Sequence, residues 1–580
     1  MKNCFIILLL LSISNAFAQQ TPYELSGKKE TTTYESAISF YQNLVKAYPQ
    51  QSKLLSYGST DFGQPLHLMV LSKSKIFDPA TLRKNNKRIF LINNGIHPGE
   101  PEGIDASMMM ARDLLKGNKL PEDVVICIIA LYNIGGSNNR SGTSRANQNG
   151  PLAYGFRGNS KNYDLNRDFI KTDSKNSQAF QQIFNTWQPE IFVDTHTSNG
   201  SDYQYTMTLI PTQKDKLNPI VSSYLTNILV PNLYSQMKEK GYNLIPYVNS
   251  VSEIPDSGIT GFIESPRYST GYAALHNVIG FMPETHMLKE YHERVNSTYK
   301  LLNTYVDIIV RDAKVIGENK RKADIYTAQQ KDFPLDWKLN RSVYDSIEFK
   351  GFEAKYKPSE VSGIDRLYYD RNAPYSKKIK YWDKFEPTIT VTKPIAYIIP
   401  KAWDKVIALL QLNNVKMHQL TSNTKINLEM YYIADMKTSQ QPFEGHYIHS
   451  NVTLKPVEQS IQFYSGDYVV YVNQANNRYI VETLEPQAID SFFNWNFFDS
   501  ILGKKEGYSS YVFEDTAAEL LKNDPDLKQK LEAEKSKNPE FAKNGRLQLD
   551  FVYKNSAYYE STYMRYPIGR LQKDVKLNLK

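Results

Sequence analysis

The chain has 580 residues, more than one hydrophobic core accommodates, since single cores stop growing near about 250–300 residues. Hydrophobic residues make up 41%, aromatics 12% and charged residues 22%, which excludes long disorder, collagen-like repeats and a polytopic membrane protein. Lysines and arginines number 69 against 61 acids, a formal charge of +8 that is small for this length, and no dense basic cluster is present, so nucleic acid is not an expected partner.

The first eighteen residues, MKNCFIILLLLSISNAFA, put Lys2 ahead of an apolar run at 5–11 and end in Ala16-Phe17-Ala18, the pattern of a cleaved export signal. A membrane-crossing helix needs about 20 apolar residues, so this run is too short to be an anchor, and no later stretch supplies a span. The expectation is a signal peptide over 1–18, a mature chain starting at Gln19, and a secreted or periplasmic location. Removal of the signal leaves Cys127 alone inside VVICIIAL, where it reads as a small buried hydrophobe rather than a nucleophile.

Four short apolar runs read as buried strands: RIFLIN (88–93), VVICIIAL (124–131), EIFVDT (190–195) and VIGFM (278–282). Helical spacing lies between them, at 102–115 with Ile104, Met108, Leu114 and Leu115, at SQAFQQIFNTW (177–187), and over 219–240. Strands alternating with helices predict an α/β unit around a mixed, largely parallel sheet. From about 320 the texture changes, through a charged, Pro-punctuated stretch at 320–358, to Tyr-rich alternation such as SIQFYSGDYVVYVN (460–473). Helical pieces at 403–414 and 516–523 make the remainder a β-rich α+β region. The expected division is 1–18, an α/β unit over 19–320, and a second region over 321–580.

In an open α/β sheet, ligands bind beyond the carboxyl ends of the strands. RIFLIN runs into NGIHPGEPEG, EIFVDT into His196, and VIGFMP into Glu284, so two histidines and two glutamates arrive at one sheet edge. The string His97-Pro98-Gly99-Glu100 is weak alone, because about one His with an acid three residues on is expected by chance in such a chain. Its Pro-Gly turn can nevertheless aim imidazole and carboxylate at one point. His196 has a plain structural alternative, a bond to neighbouring backbone or to Asp194. Together His97, Glu100 and His196 form a ligand set that holds zinc tetrahedrally with one position open. Glu284 reads either as an acid favoured at a helix N-terminus or as the base that takes a proton from the attacking water and hands it to the leaving amine. In NYDLNRDF (162–169), Asn166 and Arg167 suit an anion clamp, with a surface ion-pair network as the alternative. The polar stretch 133–151, too rich in Gly and Asn for a regular element, offers Arg140 and Arg145.

The order HPGE, SRAN, DLNRD, strand plus His196 and strand plus Glu284 resembles the zinc carboxypeptidases of the carboxypeptidase A type, over roughly 30–310. The resemblance implies a three-layer α/β/α fold, one zinc on His97, Glu100 and His196, and Glu284 as general base and acid. It implies that Arg145 polarises the scissile carbonyl, with Arg140 and Arg157 as alternatives, and that Asn166 and Arg167 hold the terminal carboxylate of a peptide. Tyr268 in RYSTGY is similar to the tyrosine that closes over substrate, and Tyr272 is nearly as good a match. His196 is followed by Thr-Ser-Asn-Gly and Glu284 by Thr-His, closer to bacterial carboxypeptidase-like members than to digestive enzymes, so no side-chain preference is carried over. The region after 320 has no counterpart in the minimal family domain. Its His446 and His449 lie three apart in a strand-like context, which points them to opposite faces, and they read as structural.

Other classes fit less well. No Ser has Gly at both i−2 and i+2, so a nucleophile elbow is missing, and His292-Glu293 is not followed by the second histidine of a helical zinc endopeptidase motif. A non-catalytic peptide-binding relative and a zinc amidase or cell-wall peptide hydrolase remain as alternatives. Zinc content with hydrolysis of blocked dipeptides separates the first, and retention of Asn166-Arg167 weighs against the second.

Overall fold

The computed structural model describes residues 20–580; the export signal expected over 1–18 lies outside the described residues. In chain order the first strands are β1 (Ser52–Tyr57), β2 (Leu66–Leu71), β3 (Arg88–Asn93), β4 (Val124–Ile129), β5 (Ile191–Asp194) and β6 (His196–Ser198). They are followed by β7 (Met207–Pro211), β8 (Leu244–Pro246), β9 (Asn249–Ser250), β10 (Ile259–Thr260) and β11 (Ile279–His286). The main sheet runs β1-β2-β4-β3-β5-β11-β7-β8, with β6 beside β11. Its centre, β4-β3-β5-β11, is parallel, while β1, β2 and the β11–β7 pair are antiparallel.

The apolar runs are continuous because both faces of the central strands are covered. Side chains alternate between faces along a strand, and here the alternation feeds two separate cores. Val124, Ile126 and Ile128 of β4 join Phe90 and Ile92 of β3 in one core, against the helices Tyr34–Ala47, Glu102–Lys116 and Tyr291–Gln329. Val125, Cys127 and Ile129 join Ile89 and Leu91 in the other, against Lys175–Trp187 and Ser269–Leu275. The result is the three-layer α/β/α arrangement. Cys127 is fully buried, as expected of a small hydrophobe.

The predicted helix over 219–240 forms with one change of pitch. Pro219–Tyr224 and Val230–Glu239 are α-helical, and Leu225–Leu229 between them is a π-helical turn. Pro231 has no N–H to donate, and its ring would meet the carbonyl four residues back, so the turn widens instead of breaking. The stretch 133–151, expected to lack regular structure, contains one short helix, Ile134–Asn138. Asn133 caps it by accepting from the Gly136 N–H at 2.8 Å.

The texture change at 320 falls inside a single helix, Tyr291–Gln329, whose charged residues there are its solvent side while Ile316, Ala323 and Thr327 stay buried. The β-rich elements begin at β12 (Asp332–Leu339) and continue with β13 (Asp345–Pro358) and β14 (Asp365–Trp382). They do not stand apart from the first half. The β13–β14 hairpin joins β10 and β9 in one sheet, through Ile259 opposite Tyr381. On the second face of the main sheet, Val406, Leu410, Tyr479, Ile480 and Trp495 complete the same core as Phe180 and Tyr272. Asn413 ties the halves at a buried polar node, accepting from Tyr272 Oη at 2.6 Å and donating to Gln181 at 3.0 Å and to Tyr479 Oη at 2.9 Å. Among the described residues, no helix is long and apolar enough to cross a membrane.

Candidate active site

A cavity of about 550 Å³ opens at the carboxyl ends of β3, β5 and β11, and it is lined by His97, Glu100, Arg145, Arg157, Asn166, Arg167, His196, Tyr268 and Glu284. Three short connections deliver the first of these. After β3 the HPGE string makes a turn in which the Glu100 N–H donates to the His97 carbonyl at 2.8 Å, ahead of the helix Glu102–Lys116. Only glycine fits at 99: a Cβ there would lie 2.7 Å from Arg145 Cδ and 3.1 Å from the Gly155 carbonyl. Gly103 is held just as closely, since a Cβ would meet Thr195 Oγ1 at 2.0 Å, and this lets the helix start sit against the end of β5. His196 begins β6, pairs in parallel with Glu284 of β11, and so places the two side by side.

His97, Glu100 and His196 each offer one ligand atom, and these lie within 4.8 Å of one another. Both imidazoles turn Nδ1 inward: His196 Nδ1 is 3.2 Å from Glu100 Oε2, and His97 Nδ1 is 3.2 Å from Oε1. Their outer nitrogens are fixed by carboxylates, His97 Nε2 by Asp164 at 2.9 Å and His196 Nε2 by Asp194 at 3.1 Å. Such carboxylate partners set tautomer and ring orientation in metal sites. The Asp194 bond, which in the sequence competes with a ligand role for His196, is thus compatible with it. His97 Nδ1 is buried and makes no hydrogen bond among the described residues, an orphaned donor atom facing the other two. Two imidazole nitrogens, one carboxylate and an opening to a cavity fit a four-coordinate zinc with a free position.

Charge is arranged to match. Burial alone would raise the Glu100 pKa, but His97 and Arg145 more than reverse this and hold it well below the carboxylate range. Burial opposes charge on His196 as well, yet Asp194 and Glu100 outweigh it and raise the imidazole well above its ordinary value. Glu284 is pushed the other way, upward, chiefly by desolvation and further by the Glu100 charge. Its position also corrects one sequence alternative: Glu284 lies inside β11, flanked by His196 on β6 and Thr208 on β7, and not at a helix start.

Arg145 donates to Glu100 at 2.7 Å, to Gln148 at 2.7 Å and to the Thr197 carbonyl at 2.9 Å. Arg157 also reaches the cavity, pairing with Asp164 at 2.9 Å and standing 3.5 Å from Glu100. Arg140 does not; it binds the Thr31 and Ala153 carbonyls. Asn166 and Arg167 share the one-turn 3-10 helix Leu165–Arg167, and the buried Asn166 Oδ1 lacks a partner among the described residues. The Arg167 guanidinium lies 4.5 Å over the Tyr268 ring, which in turn meets Phe262 edge-on. Tyr272, the other tyrosine of RYSTGY, is fully buried on the Asn413 node, away from the cavity.

Sequence reasoning missed Asp164, although it stands in the quoted DLNRD string. It also missed the wall formed by Ile210, Tyr247, Phe262 and Met282, because apolar side chains carry no chemical signature of a site. His446 and His449 prove to be separate. His446 sits in a turn before the strand His449–Phe463, because Glu444 and Gly445 take positive φ there, and it binds Asp173 at 2.7 Å. His449 binds Asp499 at 3.0 Å.

Glu264 does not line the cavity. It is 1% exposed, its Oε1 has no hydrogen-bond partner among the described residues, and burial raises its pKa to about 8 against partial compensation by Lys216 and His196. A raised carboxyl favours the fold while neutral, so its contribution is full below about pH 4.5 and is lost as pH climbs through about 8, with a slope of up to ~1.4 kcal/mol per pH unit. Glu264→Gln should remove that slope. Denaturant midpoints of the two proteins, measured at pH 6 and pH 8, should diverge in favour of the variant at the higher value; parallel profiles would show that Glu264 is not held neutral.

Residues 37–212, which carry His97, Glu100, Arg145, Asn166, Arg167 and His196, match the family model described as zinc carboxypeptidase. Carboxypeptidase 2 of Trichophyton tonsurans is 22% identical over 496 residues, spanning 80% of this chain and 84% of that protein. Carboxypeptidase 2 of Trichophyton rubrum is 22% identical over 451 residues, spanning 74% and 76%. Among solved structures, carboxypeptidase A of Helicoverpa armigera overlaps 52% of this chain and 82% of its own, at 12% identity and a TM-score of 0.37. A metallo-carboxypeptidase of Pseudomonas aeruginosa overlaps 49% and 70%, at 13% identity and 0.36. Over residues 37–212 the chain is thus similar to the zinc carboxypeptidases, and over most of its length it is similar to these curated carboxypeptidases.

Proposed function

We propose that this chain is an exported zinc-dependent carboxypeptidase that removes the C-terminal residue of peptides bearing a free carboxylate, with residues 19–320 as its catalytic unit. The observation that carries the reading is the convergence, in one cavity, of the His97, Glu100, His196 ligand set with Glu284 and with the Arg167 guanidinium. Zinc held by that set would supply Lewis acidity toward the scissile carbonyl and the attacking water. Glu284 accepts the water's proton at its carboxylate and delivers it to the departing amine nitrogen, a task for which its raised pKa suits it. Arg145, with Arg157 beside it, faces the carbonyl oxygen as charge develops there. Arg167 and Asn166 bind the terminal carboxylate and fix which peptide bond lies over the ligand set, and Tyr268 backs the guanidinium.

Metal analysis tests the reading. Purified protein should hold about one zinc per chain, lost together with peptidase activity on chelation, and His97→Ala and His196→Ala should not retain it. Occupancy should fall on acidification, because zinc must displace the proton that Asp194 and Glu100 favour on His196. Protein that binds no metal under any of these conditions would remove the proposal.

A further inference from the structure

The segment 164–173 contains the clamp and is fastened at both ends by one turn from beyond residue 440. At its start, Glu444 Oε2 accepts the Asp164 N–H at 2.9 Å across 280 residues of sequence. At its end, His446 Nε2 meets Asp173 Oδ2 at 2.7 Å across 273 residues. Between the two lie Asn166 and Arg167. The turn is built to reach both points: Glu444 and Gly445 have φ of +50° and +82°, and a Cβ on Gly445 would sit 3.2 Å from the Tyr163 ring. Asp173 also takes Lys171 at 2.9 Å, and the Lys171 side chain is fully buried beneath the rings of Tyr163 and Trp495. The opposite side of the clamp is tied in the same way. Arg267, next to Tyr268, pairs with Asp490 and stacks on Phe443 and Trp495.

The turn packs Phe443 and His446 against the Trp495 ring, and from that seat it sets an acceptor and an imidazole on the two ends of one ten-residue segment. We infer that Glu444 and His446 are positioning residues of the carboxylate clamp, so that the region after 320 completes the site that recognises the peptide terminus. The inference rests on the carboxypeptidase reading above. Glu444 acts through Asp164, whose carboxylate holds His97 Nε2, Arg157 Nε and the Asn166 N–H, each at 2.9 Å. His446 acts through Asp173. Neither lines the cavity.

The test compares Glu444→Met, which keeps size and loses the acceptor, with Glu444→Gln, which keeps an amide oxygen for the Asp164 N–H. Zinc content, kcat and KM are measured on a free-acid peptide and on its C-terminal amide. Glu444→Met should raise KM for the free acid about tenfold, with kcat and zinc content within about twofold of wild type, while Glu444→Gln stays near wild type. His446→Phe should shift KM in the same direction. Combined with Arg167→Ala, Glu444→Met should have no further effect, because both act on one clamp. An unchanged KM in Glu444→Met and His446→Phe, an equal rise on acid and amide, or an effect that adds to Arg167→Ala would overturn the inference. Wild-type enzyme that cleaves acid and amide equally well would instead overturn the carboxypeptidase reading, and the two failures are distinct.

Discussion

Glu284→Gln is expected to keep zinc and fold while lowering kcat by roughly 10²–10⁴-fold, the range typical of general acid–base catalysis. Its backbone is paired on both sides, to β6 and β7, so glutamine finds the same place prepared for it. An amide can neither accept the water's proton nor deliver one to the amine. Among the described residues, the carboxyls that line the cavity are Glu100 and Glu284. Glu100 is occupied by Arg145, the Thr197 N–H and His196. Glu264 is sealed in the interior, and Glu290 lies on the surface with Asn149 at 3.0 Å, bordering a different cleft. Single-turnover rates on wild type and variant, with zinc assayed in the same samples, measure the effect. An unchanged rate would leave the reaction without a base in this cavity.

What the sequence revealed of the site follows from where its chemistry is encoded. The strands were readable because β3, β4 and β5 are buried on both faces, and their carboxyl ends point at the residues that follow them. HPGE, His196 and Glu284 were therefore legible as neighbours before any geometry was known. Asp164 was not, because an acid in a charged string looks the same whether it orients an imidazole or meets solvent. The choice between Tyr268 and Tyr272 is one of helix phase: Tyr268 is the N-cap of Ser269–Leu275 and faces the cavity, whereas Tyr272, one turn on, faces the core. The turn 443–446 is the hardest case. Its partners lie 273 and 280 residues away, and local pattern carries no information about contacts at that separation. The texture change at 320 likewise marks where helix gives way to β structure, while the core on the second face runs through both halves.

Arg167→Ala is expected to lower kcat/KM on a free-acid peptide by roughly 10- to 150-fold, equivalent to losing a charge-assisted bond of about 1.5–3 kcal/mol. The guanidinium is well placed to be spent on a ligand. Its contacts with protein oxygens are the adjacent Asn166 carbonyl at 3.0 Å and a distant approach to Asp164 at 3.9 Å, and the Tyr268 face supports it from one side. Arg167→Lys should recover only part of the loss, since an ammonium supplies charge without the planar pair of donors that matches a carboxylate. The substrate comparison carries the argument further than the mutation alone. Wild type should handle the C-terminal amide poorly, and Arg167→Ala should change that poor rate little, because the bond it removes is one the amide hardly makes. The ratio of acid to amide kcat/KM should therefore collapse toward unity in the variant. A ratio that stays high would place terminus recognition elsewhere in the cavity, and one already near unity in wild type would mean that zinc and Glu284 serve an endopeptidase or an amidase.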